Sequence, residues 1–141
     1  MMIYMNLDQC INFLLTGAQH KVFQGLKKDL EQYDITPIQY GVLKCIWQLD
    51  IHNPKEIAEQ LGIENSTISG ILDRMEKKEL IERQIDKEDR RFVKVELTKA
   101  GRDLEGPVNK TIESFNKEAL AIFTDDEATK LREMLHKIME Q

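Results

Sequence analysis

The chain is poor in the residues that mark secreted, disulfide-bonded and metal-binding proteins. Among its 141 residues are two cysteines, three prolines and one tryptophan. Cys10 and Cys45 are too few for a disulfide framework, so we expect a reducing compartment. His20, His52 and His136 are scattered and lack the spacing of metal ligands. We therefore expect neither a bound metal nor another cofactor.

Long apolar runs and enzyme motifs are missing as well. No run approaches the roughly 18 to 20 apolar residues that cross a bilayer, so no membrane partner is expected. The N-terminus has no cationic region and Asp8 interrupts its apolar run, which argues against a secretory signal. The G-x-S-x-G, H-E-x-x-H, C-x-x-C and P-loop motifs do not occur. These absences predict a cytoplasmic protein that is not an enzyme and has no catalytic residues.

The net charge of −5 is unevenly distributed along the chain. Residues 1–73 hold five basic and nine acidic side chains, and residues 103–141 hold the same numbers. Residues 74–102 reverse this balance, with ten basic and seven acidic side chains. An acidic body with one basic segment is typical of a protein that binds DNA at particular sites rather than coating it.

Residues 53–78 have the pattern of two short helices separated by a tight turn. Asn53 is a preferred N-cap, Pro54 fits the first helical position, Glu56 has the capping-box spacing, and Gly62 is a typical helix end. A second helix is expected after a predicted N-cap cluster at residues 65–67. Its apolar positions follow the steps of an amphipathic helix at Ile68, Ile71, Leu72 and Met75. This is the helix-turn-helix pattern, whose second helix can enter a major groove of DNA.

After Glu79 the apolar period changes from helical to alternating. Two strands are predicted, one with Ile81, Arg83 and Ile85, and the other with Val93, Val95 and Leu97. Residues 86–91 between them are too polar to bury, so they form the charged tip of a hairpin. The predicted fold is mainly α with a small β-hairpin wing, a winged helix-turn-helix head.

Amphipathic helical patterns flank this head on both sides. Residues 7–33 read as one long helix, Thr36 starts the next helix, and Thr98 starts a helix that Gly106-Pro107 should kink or break. Thr124 caps a last helix that we expect to bury Ala128, Leu131, Met134, Leu135 and Ile138. The simplest partner that could bury the apolar faces of such long terminal helices is the same segment of a second subunit. We expect one domain over residues 1–141, with the head at about 34–98 and dimerisation helices at 1–33 and 99–141.

The central run resembles the DNA-binding core of the MarR family of bacterial and archaeal transcription regulators. The matching pieces are residues 57–61, 66–69, 72–76, 83–91 and 97–101. The resemblance implies a homodimer on a pseudo-palindromic operator in double-stranded DNA, most often a repressor, with release by a small-molecule effector. It also implies that the wing-tip arginine, Arg91, enters a minor groove and that Asp89 holds it.

The candidate DNA-binding residues lie on the outer face of the second helix and on the wing. Polar groups near the start of that helix suit base edges, and cations farther along suit phosphates. Two adjacent arginines at the wing tip, with Asp86 and Asp89 able to orient them, suit a minor groove. Gly70 lacks the polar side chain that relatives often carry there, which leaves room for readout of DNA shape. The predicted contacts are Asn65, Ser66, Thr67, Ser69, Arg74, Lys77, Lys87, Asp89, Arg90 and Arg91.

Other interpretations of the same residues stay open. The hydroxyls of Ser66, Thr67 and Ser69 could serve simply as helix caps. Arg74 could pair with Glu76 instead of contacting DNA, and the arginines at the wing tip could belong to a solvated turn. The chain could also be a redox-sensing regulator that uses Cys10 or Cys45, or a winged-helix module that binds protein instead of DNA. Some relatives sense peroxides through a cysteine just before an apolar triplet, but Asn12 occupies that place here, so inert thiols are favoured. The sequence identifies no effector-binding residue.

Overall fold

The computed structural model describes residues 2, 4–85, 87–89 and 93–141. Single turns of 3-10 helix at Leu7–Gln9 and Glu31–Tyr33 flank the first α-helix. In chain order the main elements are α1 (Ile11–Leu30), α2 (Pro37–Leu49), α3 (Pro54–Leu61), α4 (Asn65–Lys77), β1 (Ile81–Ile85), β2 (Val93–Leu97), α5 (Lys99–Asp103), α6 (Glu105–Ala119) and α7 (Asp125–Met139). The predicted fold class, mainly helical with one antiparallel hairpin, is confirmed.

Side chains close in sequence determine where three helices begin. Thr36 and Thr124 each accept a hydrogen bond from the backbone N–H three residues later. Gln39 and Glu127 return the bond to the N-cap backbone, which completes two capping boxes. Asn53 caps α3 by accepting from the next two free N–H groups of that helix. These predicted helix starts are confirmed.

Helix α4 begins earlier than its predicted N-cap cluster. The N-cap is Glu64, whose carbonyl oxygen accepts from the N–H groups of Thr67 and Ile68. Asn65, Ser66 and Thr67 therefore lie inside the first turn, and the prediction that they cap the helix is wrong. The Glu64 side chain makes no capping hydrogen bond either. The N-cap side chain consequently leaves the N–H groups of Asn65 and Ser66 for other partners such as water or a ligand.

The predicted long N-terminal helix is interrupted at both ends. Cys10 has extended backbone, with φ −77° and ψ 117°, and separates the first 3-10 turn from α1. After Leu30 the helix tightens into a second 3-10 turn, and Asp34 ends it with a φ of 54°. The regular α-helix therefore covers less of the chain than its apolar periodicity predicted.

The helix after the wing breaks close to Gly106-Pro107, as predicted. A proline has no N–H, and its ring crowds the carbonyl group four residues earlier, which here is that of Asp103. Helix α5 accordingly ends at Asp103, and the N–H of Val108 donates to Leu104 at 2.9 Å within the next helix. The chain thus turns from α5 into α6 at Leu104.

One hydrophobic core joins α2, the two helices of the helix-turn-helix unit and the inner face of the hairpin. Ile81 and Val95 face this core, whereas Ile85 and Val93 lie exposed toward the wing tip. The hairpin pairs Arg83 with Val95. The largest fully buried side chains are Leu30, Leu43, Ile57, Leu72, Met75, Ile81, Val42, Val95 and Val108.

The terminal helices carry many apolar side chains on the outside of the protomer. In α7 Ala128 is buried, but Met134, Leu135 and Ile138 are exposed. The prediction that α7 buries its whole apolar set is wrong for one protomer, because the rest of the described chain does not cover that face. Even so, no helix in the described ranges has the length and apolar character that crossing a membrane requires.

The side chain of Lys78 connects the end of α4 by hydrogen bonds to the turn between α1 and α2 and to the first turn of α2. Its Nζ donates to the carbonyl oxygen of Asp34 at 2.7 Å and to Oε1 of Gln39 at 3.0 Å. Gln39 is only 3% exposed, and the same oxygen accepts the N–H of Thr36. One ammonium group therefore joins the end of α4 to two oxygens that lie 39 and 44 residues earlier in the chain.

We expect Lys78→Met to lower the free energy of unfolding by about 1 to 3 kcal/mol, because the buried amide oxygen loses a charged donor. Urea denaturation of the purified protein measures this loss. Lys77→Met is the matched control, since Lys77 is exposed on the same helix. Equal stability of the two variants would contradict the role of Lys78.

Candidate nucleic-acid interface

Helix α4 has one buried face and one exposed polar face. Ile68, Ile71, Leu72 and Met75 pack into the core. The predicted contacts on this helix all lie on its exposed side: Asn65, Ser66, Thr67, Ser69, Arg74 and Lys77. The helix therefore presents an amide, three hydroxyls and two cations together, which are groups suited to base edges and phosphates.

A groove of about 320 Å³ lies between the start of α3, helix α4 and the wing. It brings Lys55 beside Asn65 and Ser69, so a cation from another helix joins the predicted polar residues. Sequence analysis missed Lys55, although its place next to the predicted helix start at Pro54 was visible. The groove is lined by Pro54, Lys55, Asn65, Ile68, Ser69, Leu72, Arg83 and Val93.

Arg83 of β1 connects the wing to α4. Its Nε donates to Oε2 of Glu76 at 2.9 Å, and its Nη2 donates to the carboxylate of Asp73. Hydrogen bonds to Glu76 and then to Asp73 raise the pKa of the Arg83 guanidinium. Two acidic side chains beside the polar face of α4 are thus paired with one cation of the wing. Sequence analysis had assigned Arg83 only to a strand and had offered Arg74 as the partner of Glu76.

The predicted wing-tip residues are described only in part. Lys87 is exposed, and Asp89 is half-buried. Asp86, Arg90 and Arg91 lie outside the described residues. The interaction of Asp89 with Arg91 and the minor-groove role of the two arginines therefore stay predictions.

The two cysteines differ in exposure. Cys45 is 2% exposed, and burial raises the pKa of its thiol, which makes it a poor nucleophile near neutral pH. Cys10 is half-buried at the N-cap of α1. Within the described ranges, no three His, Cys, Asp or Glu side chains cluster in a way that could hold a metal ion.

Comparison with known sequences finds matches to transcription regulators. A model of the MarR family matches residues 35–93, which include α2, α3, α4 and β1 and end at the first residue of β2. The organic hydroperoxide resistance transcriptional regulator of Bacillus subtilis (strain 168) is 33% identical over 98 residues. That alignment covers 70% of this chain and 67% of the regulator.

Many solved structures share this fold, and two of them illustrate the likeness. MepR from S. aureus, solved in complex with DNA, is 26% identical with a TM-score of 0.83, covering 93% of this chain and 97% of MepR. BpsR from Bordetella bronchiseptica, solved to show how 6-hydroxynicotinic acid regulates its DNA binding, has a TM-score of 0.90 and covers 99% of both chains. At 19% identity, the second likeness shows a shared fold alone.

Proposed function

This chain belongs to the MarR family of DNA-binding transcription regulators, and from that premise we propose that it acts as a cytoplasmic, homodimeric repressor. Two α4 helices enter successive major grooves on one face of a pseudo-palindromic operator, with half-sites roughly 10 base pairs apart. The observation that carries this proposal is the exposed polar face of α4, which lies beside the wing and continues into the basic segment from Arg74 onward.

The proposed contacts divide by chemistry. Asn65, Ser66, Thr67 and Ser69 read base edges from the first turns of α4, where no side chain caps the helix. Cations farther along α4 and at the start of α3 contact phosphates. The wing adds minor-groove and phosphate contacts. The phosphate and wing residues in this proposal are Lys55, Arg74, Lys77, Lys87, Arg90 and Arg91, with Asp89 orienting Arg91.

The proposed dimer forms through residues 1–33 and 99–141, and the head at about 34–98 stays accessible to DNA. Apolar side chains exposed near both ends support this, because removing apolar surface from water contributes about 25 cal/mol per Å² against the entropic cost of association. A two-fold partner covers both ends with the same surfaces. The exposed side chains include Leu7, Ile11, Phe13, Leu14, Ile122, Met134, Ile138 and Met139.

A small-molecule effector completes the proposed mechanism. A ligand releases the operator if it binds one separation of the two heads better than the other. Support comes from BpsR, a fold neighbour whose DNA binding is regulated by 6-hydroxynicotinic acid. Control by oxidation of a thiol has less support, because Cys45 is buried and Asn12 precedes the apolar triplet of α1.

Selection of bound duplexes from a random DNA library, followed by sequencing, tests the function directly. We expect an enriched inverted repeat with the wild-type protein and none with the double variant Arg74→Glu, Lys77→Glu. Sedimentation should show that both proteins are dimers of equal size. A folded wild-type dimer that enriches no sequence would refute the operator-binding proposal.

Salt dependence separates DNA binding from the protein-binding alternative. Arg74, Lys77, Arg90 and Arg91 from two subunits alone make about eight candidate phosphate contacts, to which Lys55 and Lys87 add. The logarithm of the binding constant should then fall with the logarithm of salt concentration at a slope of about −7 or steeper, at about 0.9 per contact. A flat dependence on salt would favour a winged-helix module that binds protein.

A further inference from the structure

The loop between α2 and α3 lies against the outer edge of β2. The N–H of Val95 donates to the carbonyl oxygen of His52 at 2.8 Å, and the carbonyl oxygen of Val95 lies 2.7 Å from Nδ1 of His52. The other edge of β2 pairs with β1, where Arg83 stands opposite Val95. The backbone carbonyl and one ring nitrogen of His52 thus bond the N–H and the carbonyl oxygen of Val95, which a third strand would otherwise pair.

Both ring nitrogens of His52 face hydrogen-bond acceptors. Nδ1 faces the carbonyl oxygen of Val95, and Nε2 lies 2.6 Å from Oδ1 of Asp50. A carbonyl oxygen and an ionised carboxylate accept but cannot donate, and a neutral imidazole has a single N–H. Only the protonated ring can donate to both partners at once.

The carboxylates nearest the ring, those of Asp50 and Glu96, favour the same form. Glu96 Oε2 lies 3.7 Å from Nδ1, Lys94 Nζ bonds the other Glu96 oxygen at 2.9 Å, and Glu82 of β1 stands opposite Glu96. Burial alone lowers the pKa of His52, but the hydrogen bonds with Val95 and Asp50 and the charges of Glu96 and Asp50 outweigh it. The pKa of His52 is therefore raised above its usual 6.5.

We propose that the protonated ring of His52 is a positioning group for the wing, which fixes the outer edge of β2 and so adjusts DNA affinity with pH. This inference rests on the proposed function, because the wing is assigned to DNA there. A neutral ring must give up one of its two bonds. The consequence reaches α4 because Val95 pairs with Arg83, and Arg83 bonds Asp73 and Glu76.

The direction of the pH effect follows from the raised pKa. A group whose pKa is higher in the folded protein stabilises it fully below the unfolded pKa, about 6.5 for histidine. That stabilisation is lost as the pH rises through the folded pKa. The His52 ring should therefore make both of its hydrogen bonds near pH 6 and lose one of them near pH 9, which leaves the outer edge of β2 less stable at the higher pH.

The first test uses the DNA-free protein and NMR. The His52 ring resonances are assigned by their absence in His52→Gln, which keeps one donor but does not titrate. We expect the His52 ring to titrate above pH 6.5. The hydrogen-exchange protection of the Val95 amide, corrected for intrinsic rates, should fall between pH 6 and pH 9 in the wild type only. A ring that is neutral at pH 6, or protection that does not change with pH, would overturn the proposal.

The second test measures affinity for the selected operator duplex at pH 6 and pH 9. We expect wild-type affinity to fall about three- to tenfold more than that of His52→Gln over this range, corresponding to roughly one kcal/mol. His20→Gln, an exposed residue of α1 in the proposed dimerisation region, controls for the loss of any histidine and should keep the wild-type pH dependence, whatever its basal affinity. An equal pH dependence of wild type and His52→Gln would overturn the link to DNA. If neither protein binds DNA at any pH, the proposed function fails, and the NMR titration still decides how β2 is held.

Discussion

Among substitutions of glycine by alanine in the described chain, Gly101→Ala is expected to destabilise the protein most. A Cβ at Gly101 would fall well inside van der Waals contact of the Leu80 carbonyl oxygen, and it would lie 3.2 Å from Cδ2 of Leu97. The backbone at this point also accepts a hydrogen bond from Nε1 of Trp47 at 3.0 Å and donates one to Oγ1 of Thr98 at 3.1 Å. Helix α5 cannot move away from Leu80 without straining the Trp47 hydrogen bond or the bond from the Thr98 N–H to the Leu80 carbonyl oxygen.

We expect Gly101→Ala to cost about 3 kcal/mol or more, at or beyond the upper end of the usual range for overpacking. The midpoint of thermal unfolding should fall by roughly 10 °C for a chain of this size. Urea and thermal denaturation measure both quantities. Gly70→Ala is the matched control, because nothing lies within 4 Å of its added Cβ. As a helix-interior change it should stabilise the protein by about 0.5 to 1 kcal/mol. A Gly101→Ala protein as stable as the wild type would contradict the packing of α5 on the start of the hairpin.

Arg83→Gln is expected to weaken operator binding roughly ten- to hundredfold, since each factor of ten corresponds to about 1.4 kcal/mol. The variant leaves the carboxylates of Asp73 and Glu76 without their cation, beside the face that is proposed to meet phosphates. Like charges brought together across an interface are strongly unfavourable. The wing also loses its connection to α4. Fluorescence anisotropy with the selected duplex measures the change at a fixed salt concentration.

Two further proteins separate this local effect from a general loss of positive charge. Arg102→Gln removes one cation from α5, in the same basic segment, and should weaken binding far less. The triple variant Arg83→Gln, Asp73→Asn, Glu76→Gln removes the uncompensated carboxylates and should recover most of the lost affinity. An equal loss for Arg83→Gln and Arg102→Gln, with no recovery in the triple variant, would show that Arg83 contributes only net charge.

Sequence patterns predict only part of the proposed DNA-binding surface. The polar face of α4 was predictable because helical periodicity places those residues opposite a buried apolar stripe. The strand partners were predictable because their apolar residues alternate on both sides of a polar tip. Lys55 and Arg83 were missed as members of this surface because they belong to other elements. Their positions depend on how α3 and β1 pack against α4.

By itself the sequence determined the helix starts at Thr36, Asn53 and Thr124, the break before Pro107 and the hairpin pairing. Each of these depends on residues a few positions apart or on one strongly polar loop, so local chemistry is sufficient. Only the tertiary structure decided the contacts between distant segments: Lys78 with Asp34, His52 with Val95, and Arg83 with two acids of α4. These contacts form because packing of the shared core brings together groups whose separation in sequence carries no periodic signal.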